Sequence, residues 1–164
     1  VVNYKKLNRE LLLSNCLFSI VLWLLYVILS YFLIGDIMFT THGIIVIINS
    51  FIFTLCATSI AILIGNLISN KEAINGIVNV VALGSSFLCG SFVPMEWLPD
   101  SVINISKVLP SYYYIKTNDM ITTLETFDFE ALKPIYINMI IVIGFTILFI
   151  IATNIVVSKK RKVG

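Results

Sequence analysis

Long uncharged apolar stretches alternate with short polar ones along the chain. Residues 11–35 (LLLSNCLFSIVLWLLYVILSYFLIG) and 43–69 (GIIVIINSFIFTLCATSIAILIGNLIS) hold no Asp, Glu, Lys, Arg or His, and residues 73–93 and 135–157 repeat the pattern, 73–93 being the least apolar. A hydrocarbon core of about 30 Å needs about 20 apolar residues at roughly 1.5 Å each, so each stretch predicts a transmembrane helix. A charge at mid-membrane costs roughly 2.5–3.5 kcal/mol on insertion scales, which accounts for the confinement of every charged residue to the intervening segments. The few-residue links at 36–42 and 70–72, and the lack of alternating ten-residue strands, exclude a β-barrel. The expected fold is an all-α integral membrane protein of four transmembrane helices, forming one membrane domain over 1–164.

The segment 94–134 breaks the pattern. Val102, Ile105 and Leu109 recur at helical spacing, as do Ile115 and Asp119 less cleanly, and Pro94, Pro99 and Pro110 punctuate the pieces. This predicts two short amphipathic helices lying at the membrane surface before the last span. Residues 1–10 (VVNYKKLNRE) read as a basic approach to the first span. The first residue is Val, not Met, and the first apolar stretch is too long for a signal core, so a longer parent chain is expected.

Charge then orients the helices. Lys5, Lys6 and Arg9 precede the first span, Lys71 lies between the second and third, and Lys159, Lys160, Arg161 and Lys162 follow the fourth. The opposite side carries Lys107, Lys116 and Lys133 against seven carboxylates, from Asp36 to Glu130. The positive-inside bias therefore predicts that both ends face the cytoplasm. The net charge of +2 belongs to these flanks and accompanies no nucleic-acid-binding pattern. With 59% apolar residues and a mean hydropathy of +0.99, membrane lipid is the expected surrounding.

Candidate chemistry is sparse. Cys16, Cys56 and Cys89 fall inside predicted spans without metal or disulfide spacing and read as packing residues. His42 stands alone in a link and reads as a solvated loop residue, and Asn104-Ile105-Ser106 is a sequon without further support. No phosphate loop, catalytic dyad or intramembrane acid or base occurs in the spans, so no enzymatic site is expected and no cofactor is assigned to the chain. Ala57, Ala61, Gly65 and Ser69 recur at steps of four in the second span, and Ala82, Ser86 and Gly90 do so in the third. Such stripes either let helix backbones approach closely or line a translocation path. Asn75 and Asn79, one turn apart, and Asn49 and Asn66 must face protein or water, as interhelical bonds or as substrate contacts.

The stretch GSSFLCGSFVPMEWLPDSVINISKVLPSYYYIKTNDMI resembles the end of ABC type-2 exporter permeases, in which a span ends in a Gly- and aromatic-rich stretch followed by a Pro, a second Pro, an amphipathic helix and a Pro before aromatics. The matching positions are Gly90, Phe92, Pro94, Glu96, Pro99, Pro110, Tyr112 and Tyr113. The charged turn Asn70-Lys71-Glu72 and the final KKRK resemble the last four of that family's six spans. The resemblance implies a permease subunit of an ATP-driven exporter in the cytoplasmic membrane of a bacterium. It would pair with a second copy or a sister permease and dock ABC ATPase subunits that bind ATP and Mg, with Lys5, Lys6, Arg9 and Lys71 on the side nearest the ATPase. The alternative is a non-transporting membrane scaffold or immunity protein acting through its outer helices.

Overall fold

The computed structural model describes residues 4–163, with the side chains of 4–9 and 160–163 left undescribed. Six α-helices follow one another: α1 (Tyr4–Ile34), α2 (Thr41–Leu67), α3 (Lys71–Leu88), α4 (Asp100–Ser106), α5 (Pro110–Thr122) and α6 (Phe129–Val163), with short 3₁₀ turns at Gly35–Phe39 and Met95–Trp97. Three of these, α1, α2 and α6, are long and apolar enough to cross a membrane. The chain is an all-α membrane protein.

The turns explain the breaks. Gly35 adopts φ +72° at the end of α1, a left-handed conformation that costs a residue with a Cβ. Thr40 caps α2 by accepting from the Gly43 amide, and Asn70 caps α3 by accepting from the amides of Glu72 and Ala73 at 2.8 and 3.4 Å. Leu67 and Lys71 are so close in sequence that α2 and α3 form a tight hairpin.

Three boundaries and one placement differ most from the sequence expectation. The third apolar stretch does not stay helical to residue 93: α3 stops at Leu88 because Gly90 turns to φ +95°, so it is an 18-residue helix of about 27 Å. α1 runs unbroken from Tyr4, so the basic approach is helical from there on. α6 begins six residues before Ile135 and absorbs Pro134 in its second turn, where only one backbone bond is lost. The largest difference concerns the two short helices. Both form, but α5 does not lie on a surface: Tyr112, Thr117 and Ile121 are buried where α5 packs between α2 and α6.

The core sits there. Ile45 of α2, Ile121 of α5, and Ile135 and Met139 of α6 form a buried cluster. Asn49, 1% exposed, donates through Nδ2 to the Tyr114 carbonyl at 3.0 Å and to Asn118 Oδ1 at 2.8 Å, tying α2 to α5. His42 is a further correction. It is half-buried in the first turn of α2, its Nε2 donates to the Leu124 carbonyl at 2.9 Å, and its ring meets Phe127 edge-on. A carbonyl can only accept, so this contact fixes the proton on Nε2.

These contacts set the depth of α5. Leu124 lies beside the start of α2, whereas Tyr114 lies beside Asn49 and Phe53, some 12–18 Å further along it. α5 therefore starts deep in the bundle and runs back towards the end from which α2 starts.

Candidate translocation cleft

α2 presents one stripe to an open cleft. Phe53, Ala57 and Ala61 form its floor, Val78, Ala82, Ser85 and Ser86 of α3 its far wall, and Ser111 and Tyr114 of α5 close it at one end. The cavity is about 290 Å³. Phe53 and Tyr114 stack face to face, centroids 4.3 Å apart and planes 9° from parallel. Asn49 holds the Tyr114 backbone one turn away, so the stack is braced rather than free.

Of the small residues singled out by sequence, Ala57, Ala61, Ala82 and Ser86 are thus brought together, but not as a helix contact, while Gly65 and Gly90 lie outside the cleft. Ala57, Ala61 and Gly65 are exposed, and a Cβ added at Gly65 would touch nothing within 4 Å. Ala82 and Ser86 face Ala57 and Ala61 across the cleft, with the Ser86 hydroxyl donating back to the Ala82 carbonyl at 2.9 Å. Small side chains here make space.

Asn75 and Asn79 do not line the cleft. They are exposed two turns before Ala82 and Ser86 on the same side of α3, a helix with no buried residue. Gly90 matters for its backbone: a Cβ there would sit 2.7 Å from Met95 Cγ as well as straining the left-handed turn. Phe92 is exposed and tilts against Phe87, Pro94 precedes the 3₁₀ turn that carries the exposed Glu96, and Pro99 precedes α4. Pro110 opens α5 and is buried, Tyr112 is 6% exposed, and the Tyr113 hydroxyl donates to the Lys107 carbonyl at 3.0 Å. Ser106 of the sequon is buried with its hydroxyl on Ile103. Lys71 is exposed at the start of α3, whereas the Lys5, Lys6 and Arg9 side chains lie outside the described residues.

Sequence reasoning missed Phe53, Tyr114, Ser85, Ser91 and Ser111, all of which border the cleft. Phe53 was within reach, because it extends the 57–61–65 stripe by one step of four. Tyr114 could not be separated from Tyr112 and Tyr113 without knowing which side of α5 meets α2.

The cleft is apolar with scattered hydroxyls, and among the described residues no charged side chain lines it. Cys56 and Cys89 are fully buried and unpaired, and among the described residues no group of three or more His, Cys, Asp or Glu could hold a metal. The family model described as ABC-2 type transporter matches residues 11–118, about two thirds of the chain and including every residue that lines the cleft. No curated protein and no solved structure matches the chain.

Proposed function

The chain belongs to the ABC-2 type transporter family and is a multi-pass permease component of an ABC transporter; on that premise we propose that it is an exporter subunit of the cytoplasmic membrane. A separate ATPase subunit, binding ATP and Mg, powers it, and substrate passes along the cleft between α2, α3 and α5. The observation that carries this reading is the open small-residue floor, Ala57 and Ala61 facing Ala82 and Ser86, closed at one end by the Phe53–Tyr114 stack.

Two features support the rest. The basic residues at both ends and at Lys71 favour four crossings with cytoplasmic termini, α3 making the third. At about 27 Å, α3 is close to the hydrocarbon thickness, and α5 returns through the remaining depth. The second feature is the exposed amide face of α3. Asn75 and Asn79 in hydrocarbon are costly unless covered, so α3 meets a second copy or a sister permease, and the cleft lies near that junction. The four crossings correspond to the last four of six in the complete permease.

The test is transport in vesicles holding the permease and its ATPase. Ala61→Phe fills the floor of the cleft and is expected to lower ATP-driven efflux about ten-fold, roughly 1.4 kcal/mol, while the ATPase still copurifies. Undiminished efflux would remove the cleft from the path. A permease that captures no ATPase would overturn the exporter reading itself.

A further inference from the structure

The α4–α5 hairpin carries two lysines down into the apolar depth of the bundle. Tyr113 of α5 meets Phe145 with ring centroids 6.2 Å apart, and Phe145 lies at the middle of the apolar span Phe129–Lys159 of α6. The Tyr113 hydroxyl donates to the Lys107 carbonyl at 3.0 Å, so Lys107, in the link between α4 and α5, sits near that same level. Lys116 is eight residues from Leu124, which His42 holds at the start of α2, and therefore lies about 12 Å below that end of the bundle.

Neither lysine reaches for the surface. A membrane lysine ordinarily lays its stem along apolar surface so that the charge meets water. The Lys116 ammonium instead lies 5.6 Å from the centre of the Tyr112 ring, one turn deeper, and Lys107 Nζ donates to Asn104 Oδ1 at 2.8 Å. Both lysines are exposed, and neither makes an ion pair among the described residues. A lysine at mid-membrane costs roughly 2.5–3.5 kcal/mol on insertion scales, so neither lipid nor an apolar helix suits this surface. The rest of the same side of α5 agrees. Tyr112, Lys116, Asp119 and Thr123 recur at steps of four, three and four, a polar stripe climbing to the end of the helix, while Tyr114, Thr117 and Ile121 turn to the core. Its charge is uneven: the one carboxylate, Asp119, stands nearer the mouth, and the two cations lie deeper.

We propose that this side of α5 lines a water-filled recess, open at the end from which α2 starts, and that Lys107 and Lys116 in its depth bind an anionic group, a carboxylate or phosphate, of the exported molecule. The recess adjoins the cleft, because Ser111 and Ile115, each one position before Tyr112 and Lys116, line the cleft wall. A molecule seated in the cleft can therefore extend one charged group around α5. The anion site stands on the depth of α5; that its occupant is cargo rests on the exporter reading. An anionic lipid headgroup has the same chemistry but would have to leave the surface by about 12 Å to reach Lys116.

The full-length permease with its ATPase, in phosphatidylcholine vesicles, tests this through Lys116→Cys, the parent protein giving the background of the native cysteines. The anionic sulfonatoethyl and the cationic trimethylammonioethyl methanethiosulfonates each transfer their thio group to the thiolate, forming a disulfide and releasing methanesulfinate. Relative to a free thiol, the anionic reagent is expected to be favoured about ten-fold, and Lys107→Gln in addition should remove most of that preference. Reaction with neither reagent means that lipid or a helix covers the surface, and overturns the proposal. Reaction without preference means water but no anion site, and does so equally. Slowing by added phosphatidylglycerol gives the site to a headgroup and overturns its assignment to cargo. ATP-driven efflux separates the remaining cases: Lys116→Gln with Lys107→Gln lowers it about ten-fold while the ATPase still copurifies, and Lys116→Arg retains it. Unchanged efflux in the double variant overturns the cargo role, whereas a permease that captures no ATPase fails the exporter reading and leaves the labelling result standing.

Discussion

The α2–α5–α6 unit and the two flanking helices are built from the same kinds of residue but held in different ways. In the unit, Ile45, Ile121, Ile135 and Met139 are buried against one another and Asn49 bridges two helices. α3 has no buried residue, and none of the most apolar stretch of α1 is buried. In water, α1 with Leu33 86% and Phe32 77% exposed would aggregate; in lipid that surface is at rest. Apolar burial gives no drive between helices in a bilayer, so close packing and hydrogen bonds decide what is fixed. By that measure α2, α5 and α6 form the fixed body, α1 hangs on the Trp23–Ser50 and Thr58–Ser19 bonds, and α3 on its hairpin turn. The cleft lies where fixed and loose parts meet, the place where a two-state change of packing costs least.

The sharpest way to break this division is at Gly43, in the fixed body. A Cβ there would lie within 2.6 Å of the Ile37 carbonyl oxygen and closer still to that of Met38, both backbone atoms that cannot swing aside. Gly43→Ala is expected to cost about 3 kcal/mol, the upper range for overpacking. Thermal unfolding of the purified protein in detergent measures this. A melting curve indistinguishable from the parent would mean that the α1–α2 turn is not the close approach described.

A smaller effect separates two asparagines. Asn49→Leu removes the bonds to Tyr114 and Asn118 and should cost about 1 kcal/mol, the usual scale of an interhelical bond in lipid. Asn79→Leu, on the exposed face of α3, should leave the isolated chain as stable as before. Equal losses in the same unfolding assay would erase the distinction between body and flank.

What the sequence could and could not disclose follows the same line. Hydropathy located α1, α2 and α6 because a lipid-facing helix states its environment in every residue. The small-residue stripe was legible as a stripe, yet whether Ala57 and Ala61 meet a backbone or an open cleft depends on where α3 and α5 stand. The inward placement of α5 was hidden, because Pro110-Ser-Tyr-Tyr-Tyr reads equally well as a surface helix. The expectation that His42 is solvated failed for a related reason: its partner is a backbone carbonyl at Leu124, 82 residues away, and carbonyls leave no signature. Gly90 signalled a turn only through its neighbours, so the third apolar stretch ran five residues past the end of its helix.

The smallest expected effect is the most informative about assembly. Gly76 lies inside α3, and a Cβ added there would touch nothing within 4 Å. Glycine in a helix interior costs roughly 0.5–1 kcal/mol relative to alanine, so Gly76→Ala should stabilise the isolated chain by a few tenths of a kcal/mol up to that limit. Its direction is opposite to that of Gly43→Ala for a stated reason: one glycine is enclosed by backbone, the other faces open space. Gly76 is exposed on α3, one turn before Asn79. If a second permease packs on that side, the added methyl meets it, and the substitution that stabilises the single chain should weaken the assembled pair. Measured by unfolding of the monomer and by pair dissociation in detergent, effects of opposite sign place the partner on α3, whereas stabilisation or neutrality in both leaves that face to lipid.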